Sequence, residues 1–341
     1  MKALQLRPPT GARILMRRWS CIRVPPRAAR QTANVSKTSR MSVHLYQTLG
    51  LQMRHVYLDH NVVTRLAVER TATHAGTEYE AVRRLLAAGD VRFVLSAVSL
   101  YEIAKSTIEA HVADSIDLLG ELSPLWLSNP VYLQKQELER HIAGQLRRRV
   151  PPPFNPMNRT MAQLWSTYGA ENIVIGETPG DCIWTWHRDR NALREVEQAA
   201  GETPNAIRSG RRASAEGIVD DNQPLIDAEF YRARLPARTD PYVDLPERRY
   251  GELPRLLAAN SREVRRDCPA IRVEDLCQRY RIEAGFRPEA QDALDLQHII
   301  GAAAYCDFFV TGDNDIQATF QYIKARWNRC PCVAIRSCLE L

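Results

Sequence analysis

Five carboxylates stand where chemistry could be done: Asp59, Glu102, Asp295, Asp313 and, just behind the last, Asp315. Asp59 closes the apolar run His55-Val-Tyr-Leu-Asp, and Asp313 closes Phe308-Phe-Val-Thr-Gly-Asp. Each run has the length and bounds of a buried parallel strand that delivers its acid at the C-terminal end. Glu102 lies about two helical turns beyond the run Val91-Arg-Phe-Val-Leu-Ser, and Asp295 lies early in the amphipathic segment Ala290 to Cys306. Ligands of open α/β sheets bind beyond the carboxyl ends of the strands. Acids gathered there repel one another, which should raise at least one pKa, unless a positive charge sits between them. A hard divalent cation meets that need. An all-carboxylate set without clustered His or Cys favours Mg²⁺ or Mn²⁺ over Zn²⁺. The chemistry is then metal-dependent phosphodiester hydrolysis. Asp59, Asp295 and Asp313 would anchor an ion, Glu102 would orient water or complete a second metal position, and Asp315 is a further candidate ligand.

Each residue also has a plainer role. Asp59 could cap a strand-to-loop turn, and Glu102 could be a solvated helix residue. Asp292, one turn before Asp295, competes with it as ligand or simply complements the helix N-terminus. Asp315 could N-cap the helix that follows it. Asn61 is expected to hold the turn and hydrogen-bond Asp59. Ser96 and Thr311 are hydroxyls placed to donate to carboxylates or metal-bound water. His60 and His298 tempt as general acids, yet a lone His beside a motif is more often structural. Trp184 and Trp186, two apart, read as core packing rather than base stacking.

The strings also resemble the PIN-domain nucleases. Tyr57-Leu-Asp-His-Asn61 is similar to that family's opening strand with Asp-x-Asn, and Leu95-Ser-Ala-Val-Ser-Leu-Tyr-Glu-Ile103 to its strand, Ser and Glu six residues on. Asp295-Leu-Gln-His-Ile-Ile-Gly-Ala-Ala-Ala304 resembles the helix bearing the third acid, and Phe309-Val-Thr-Gly-Asp-Asn-Asp315 the closing Val-Thr-x-Asp-x-Asp. The resemblance implies a PIN-like sandwich and a metal-dependent endoribonuclease acting on single-stranded or structured RNA. Many compact members are toxins, which would make an antitoxin or other regulatory protein a partner. The rivals are a structure-specific DNA nuclease, for which a second acidic cluster is missing, and a catalytically silent nucleic-acid-binding or scaffold module.

The elements that must position these acids follow from local pattern. Residues 77–88 are helical and stop at Gly89-Asp90, the strand Val91–Leu95 follows, and a helix begins near Val98. A helix from Asp315 to Trp327 and a strand Cys332–Arg336 close the chain. Strands alternating with helices indicate an α/β fold with a parallel sheet and right-handed crossovers. The expected core is 54–124 plus 286–341. Fifteen of the twenty prolines lie from Pro124 to Pro288. Residues 125–285 therefore read as a mainly helical inserted subdomain, with helices at Val131–Arg148, Asn158–Tyr168, Ile183–Ala199 and Val273–Ala284.

Charge is unevenly placed. Residues 1–54 hold eleven Lys or Arg and no acid, so the rest of the chain has 35 basic residues against 40 acidic ones. The net charge of +6 therefore does not argue for nucleic-acid binding, and any polyanion must be held by local clusters. Arginine supplies them, with 41 Arg to 5 Lys: Arg147–Arg149; Arg208, Arg211 and Arg212; Arg232, Arg234 and Arg238; Arg262, Arg265 and Arg266. Residues 1–53 read as a basic, disordered leader. They suit a mitochondrial transit peptide, a nucleic-acid-binding arm, or an upstream extension with Met41 or Met53 as the start. No stretch is long and apolar enough for a secretory signal or a membrane span. Eight cysteines at irregular spacing suggest reduced thiols and a cytoplasmic protein. Cys330, Cys332 and Cys338 lack a fourth zinc ligand nearby. Oligomeric state is not encoded in any of these features.

Overall fold

Alternation within the strands decides the layers. Val56 and Leu58 face one way and Tyr57 the other, and Phe93 and Leu95 likewise oppose Val94. Both faces are apolar, so the sheet must be covered on both sides. The computed structural model describes residues 53–72, 76–169, 176–191, 193–194, 228–284 and 290–341. It is an α/β structure with a six-stranded sheet. In chain order the strands are β1 (Arg54–Leu58), β2 (Val91–Leu95), β3 (Leu125–Leu127), β4 (Met157–Asn158), β5 (Phe308–Val310) and β6 (Val333–Ile335). Their spatial order is β4-β3-β2-β1-β5-β6, all parallel except β4, which runs antiparallel to β3. The register sets Leu58 opposite Val310, so β1 and β5 end side by side.

On the Val56 face pack helices α1 (His60–Thr71), α2 (Thr77–Ala88), α3 (Ala97–Lys105), α4 (Glu109–Leu122), α6 (Met161–Thr167) and α7 (Pro179–Arg188). Helix α2 ends as expected at Gly89, whose φ of 76° lets its amide reach the carbonyls of Leu85 and Leu86. The Tyr57 face is covered by α11 (Pro269–Glu283), α12 (Ala290–Tyr305) and α13 (Asn314–Arg326). A third apolar cluster joins α5 (Pro130–Gln145), α8 (Ala228–Arg234), α9 (Glu247–Ala259) and α10 (Ser261–Asp267).

Residues 125–285 thus supply helices, as expected, but also the strands β3 and β4 of the same sheet. Glu137 of α5 accepts from the amides of Ala270 and Ile271 within this segment and ties it to the rest by accepting from the Tyr305 hydroxyl. Trp186 is buried edge-on against Trp165, in line with a core role, while Trp184 is partly buried and lies beside Arg188. The seven described cysteines are unpaired and buried. Cys338 packs on one face of the sheet and Cys330 and Cys332 on the other. Residues 1–52, which include most of the basic leader and Cys21, lie outside the described residues, as do Arg208, Arg211 and Arg212.

Candidate active site at the C-terminal edge of the sheet

The chain passes from β1 into α1 through a single residue, Asp59, which holds the N-cap position with extended backbone. An Asp there ordinarily accepts from the first helical amides. This carboxylate does not. It is buried, its side chain 3% exposed, and it takes other partners: Nδ1 of His60 at 3.0 Å from Oδ1, and the Thr311 hydroxyl, which donates to Oδ2 at 2.7 Å. Burial pushes the Asp59 pKa up. The hydrogen bond and charge of His60, the charge of His298 and the Thr311 hydroxyl outweigh it and hold the carboxyl below its ordinary value. Asp59 is therefore not a carboxyl whose pKa crowding raises, because an imidazole lies beside it.

His60 is also drawn to Glu102. Its Nε2 lies 3.9 Å from Oε2 of Glu102, whose side chain is only 6% exposed. Glu102 sits on α3, with Nζ of Lys105 one turn on at 3.7 Å from the same oxygen. Burial pulls the His60 pKa down, but its hydrogen bond to Asp59 and the charges of Asp59, Glu102 and Asp295 prevail and raise it. Asp295, half-buried on α12, therefore faces the same group. Asp59, Glu102 and Asp295, separated by up to 236 positions in the chain, share one cationic neighbour.

Asp313 joins through Thr311. The Asp313 amide donates to the Thr311 hydroxyl at 3.0 Å, and that hydroxyl donates onward to Asp59. Oδ1 of Asp313 caps α13, accepting from the amides of Asp315 and Ile316 at 2.7 and 3.0 Å. The cap is therefore Asp313, not Asp315, whose own side chain is exposed in the first turn of α13. The side chain of Asp292 lies outside the described residues.

A second layer lies behind the acids. The Tyr57 hydroxyl is hydrogen-bonded to Nδ1 of His298, to Ser96 at 2.9 Å and to Ser99 at 3.2 Å. Ser96 thus serves Tyr57 and His298 rather than a carboxylate. Burial, then the charge of His60, lowers the His298 pKa to about 4 against the pull of Asp59, so this ring is neutral at physiological pH. Its buried Nε2 has no hydrogen-bond partner among the described residues.

Two features correct the sequence reading. Asn61 is exposed on α1, and Asp59 is bound by His60 instead. Lys105 was not foreseen, although its spacing of three from Glu102 on a helix was readable. The donor set is hard oxygen, with the His60 ring and the Lys105 ammonium beside the acids, and it suits Mg²⁺ or Mn²⁺ in kind. The acids are arranged around an imidazole, and among the described residues no group of three or more His, Cys, Asp or Glu stands in a geometry that could hold a metal ion. A cation taking Asp59 Oδ1 would have to displace the ring.

No helix among the described residues is long and apolar enough to cross a membrane. In comparisons with protein-family models, with curated proteins and with solved structures, no family model, no curated protein and no solved structure matches the chain.

Proposed function

We propose that this protein is a Mg²⁺- or Mn²⁺-dependent endonuclease that hydrolyses RNA at the Asp59 cluster. One observation carries the reading: Asp59 holds an N-cap position yet leaves the cap unmade, and turns a buried carboxylate toward a ring that also faces Glu102 and Asp295. A capping role would have used the helix amides, as Asp313 does. The order of the acidic strings, similar to that of PIN-domain nucleases, supports RNA as the substrate class.

Asp59, Glu102, Asp295 and Asp313 are the residues to hold the ion, with Asp315 at the rim. When bound, such an ion supplies Lewis acidity and a more acidic water. Thr311 orients Asp59 through its hydroxyl. His60 holds Asp59 through Nδ1 in the metal-free protein, and the ring released when the ion binds is the proton donor for the leaving oxygen. Neutral His298 and Tyr57 fix the floor beneath them.

A second reading is a catalytically silent nucleic-acid-binding module. It is favoured by the fact that both oxygens of Asp59 are already engaged. One assay separates the readings. Labelled RNA and DNA are incubated with Mn²⁺ or EDTA and either wild type or Asp59→Asn. RNA cleavage in Mn²⁺ that falls at least about a hundredfold in the variant is expected. Cleavage of DNA alone would move the substrate class, and cleavage in EDTA that survives Asp59→Asn would remove the mechanism.

A further inference from the structure

Several described arginines in residues 125–285 do what arginines on polar helices usually do. Arg148 pairs with Asp244, Arg232 with Glu229, and Arg234 with Glu274. Another group is also tied to acids, Arg266 to Asp267 at 2.8 Å among them, but gathers in one place. Arg262, Arg265 and Arg266 of α10 converge with Arg272 and Arg279 of α11 and Arg326 at the end of α13. The six line a cavity of about 950 Å³ whose only acidic lining residues are Glu263 and Asp275.

The cationic side is built, not incidental. Asp275 is fully buried, and its Oδ2 accepts from Nη1 of Arg265 at 2.9 Å and from Nε of Arg279 at 3.0 Å. One carboxylate therefore orients two guanidinium groups. Arg326 is held by Glu283 at 3.0 Å and lies over the Tyr322 ring at 3.7 Å. Arg272 lies over Trp327 at 5.0 Å and donates to the Arg326 carbonyl at 3.4 Å. Burial and the charge of Arg265 hold its pKa down, with Asp275 opposing. Forks fixed by a buried acid and by aromatic faces are preorganised for oxygen anions.

We propose that this groove binds the phosphate backbone of a nucleic-acid strand. The volume far exceeds what one phosphate group fills, and six forks spread over three helices suit successive phosphates. The groove also has a fixed relation to the acidic edge. Helix α13 is capped by Asp313 at one end and carries Arg326 at the other. At 1.5 Å per residue the two are about 20 Å apart, which a stacked strand covers in about six nucleotides. That the strand held here is also the strand cut rests on the nuclease reading. The binding does not.

The test is fluorescence anisotropy of a labelled single-stranded RNA of about twelve nucleotides, titrated with the full chain in EDTA at several salt concentrations. Arg262→Gln with Arg266→Gln alters two exposed groove residues and keeps the Asp275 network. It should raise Kd roughly tenfold and flatten the slope of log K against log salt by about 1.4, at about 0.7 per phosphate. Arg248→Gln with Arg249→Gln removes the same charge from an exposed face of α9 and should change neither. Binding is read in EDTA without cleavage, so a failed cleavage assay leaves this result standing. An unchanged Kd and slope in the groove variant, or an equal loss in the α9 variant, would overturn the proposal. So would displacement of the strand by nucleoside triphosphate at matched phosphate, or by polyglutamate at matched charge, as effective as by unlabelled RNA.

Discussion

Asp59 and His60 form an ion pair whose strength depends on pH from both sides. The Asp59 pKa is lowered below 3.8, so its contribution is present above that value and is lost as pH falls through the folded pKa. The His60 pKa is raised above 6.5, so its contribution is present below 6.5 and is lost as pH rises through the folded pKa. The pair is fully effective between these limits. Mutual repulsion among four acids, the expectation from sequence, would make Asp59→Asn stabilising without metal. The geometry reverses the sign. In EDTA the variant should unfold about 1–3 kcal/mol more easily near pH 6, with the deficit shrinking toward pH 3. Urea unfolding of both proteins across that range measures it, and a variant at least as stable as wild type at pH 6 would restore the repulsion picture. The acids themselves were readable because each ends a recognisable apolar run or opens an amphipathic one. His60 could be named only as a lone His beside a motif, since its place among the acids follows from the helix starting at once, as α1 does at His60.

Among the elements, α12 carries Asp295 and His298 to the edge, and its closeness to the sheet depends on Gly301. A Cβ at that position would come within 2.6 Å of Cδ2 and 3.0 Å of Cγ of Leu127 on β3. Leu127 is buried, so its side chain has little room to retreat. Gly301→Ala gains about 1 kcal/mol of helix propensity but meets an overpacking cost of about 1–3 kcal/mol. A net loss on the order of 1 kcal/mol should appear as a lower urea midpoint with an unchanged m-value. A higher midpoint would show that α12 and β3 have slack between them. This contact joins an element that periodicity identifies to one it does not. Strands β1, β2, β5 and β6 are apolar runs with clear bounds. Leu125-Trp-Leu and Met157-Asn are too short to register, and flanking prolines at 124, 130 and 156 read as punctuation. Helix α9 was hidden in the same way, because Pro254 lies inside it.

Across the whole molecule, charge is sorted rather than balanced. The body is mildly acidic, four of its carboxylates meet near the carboxyl ends of β1 and β5, and six of its arginines meet at the far end of α13. Composition alone could not disclose this, because the sorting is done by topology. Residues 236 positions apart become neighbours of one imidazole. What makes this arrangement a nuclease rather than a silent fold is whether the Asp59 cluster takes a divalent cation in place of the His60 ring. Titration of Mn²⁺ into the full chain at pH 7.5, followed by the electron paramagnetic resonance signal of the free ion, answers that. Wild type should withdraw Mn²⁺ from solution with saturating stoichiometry. Asp59→Asn should lose that binding, and Asp315→Asn, at the exposed rim, should keep most of it. Mn²⁺ uptake by Asp59→Asn equal to that of wild type, or a wild type that withdraws none, would contradict the assignment.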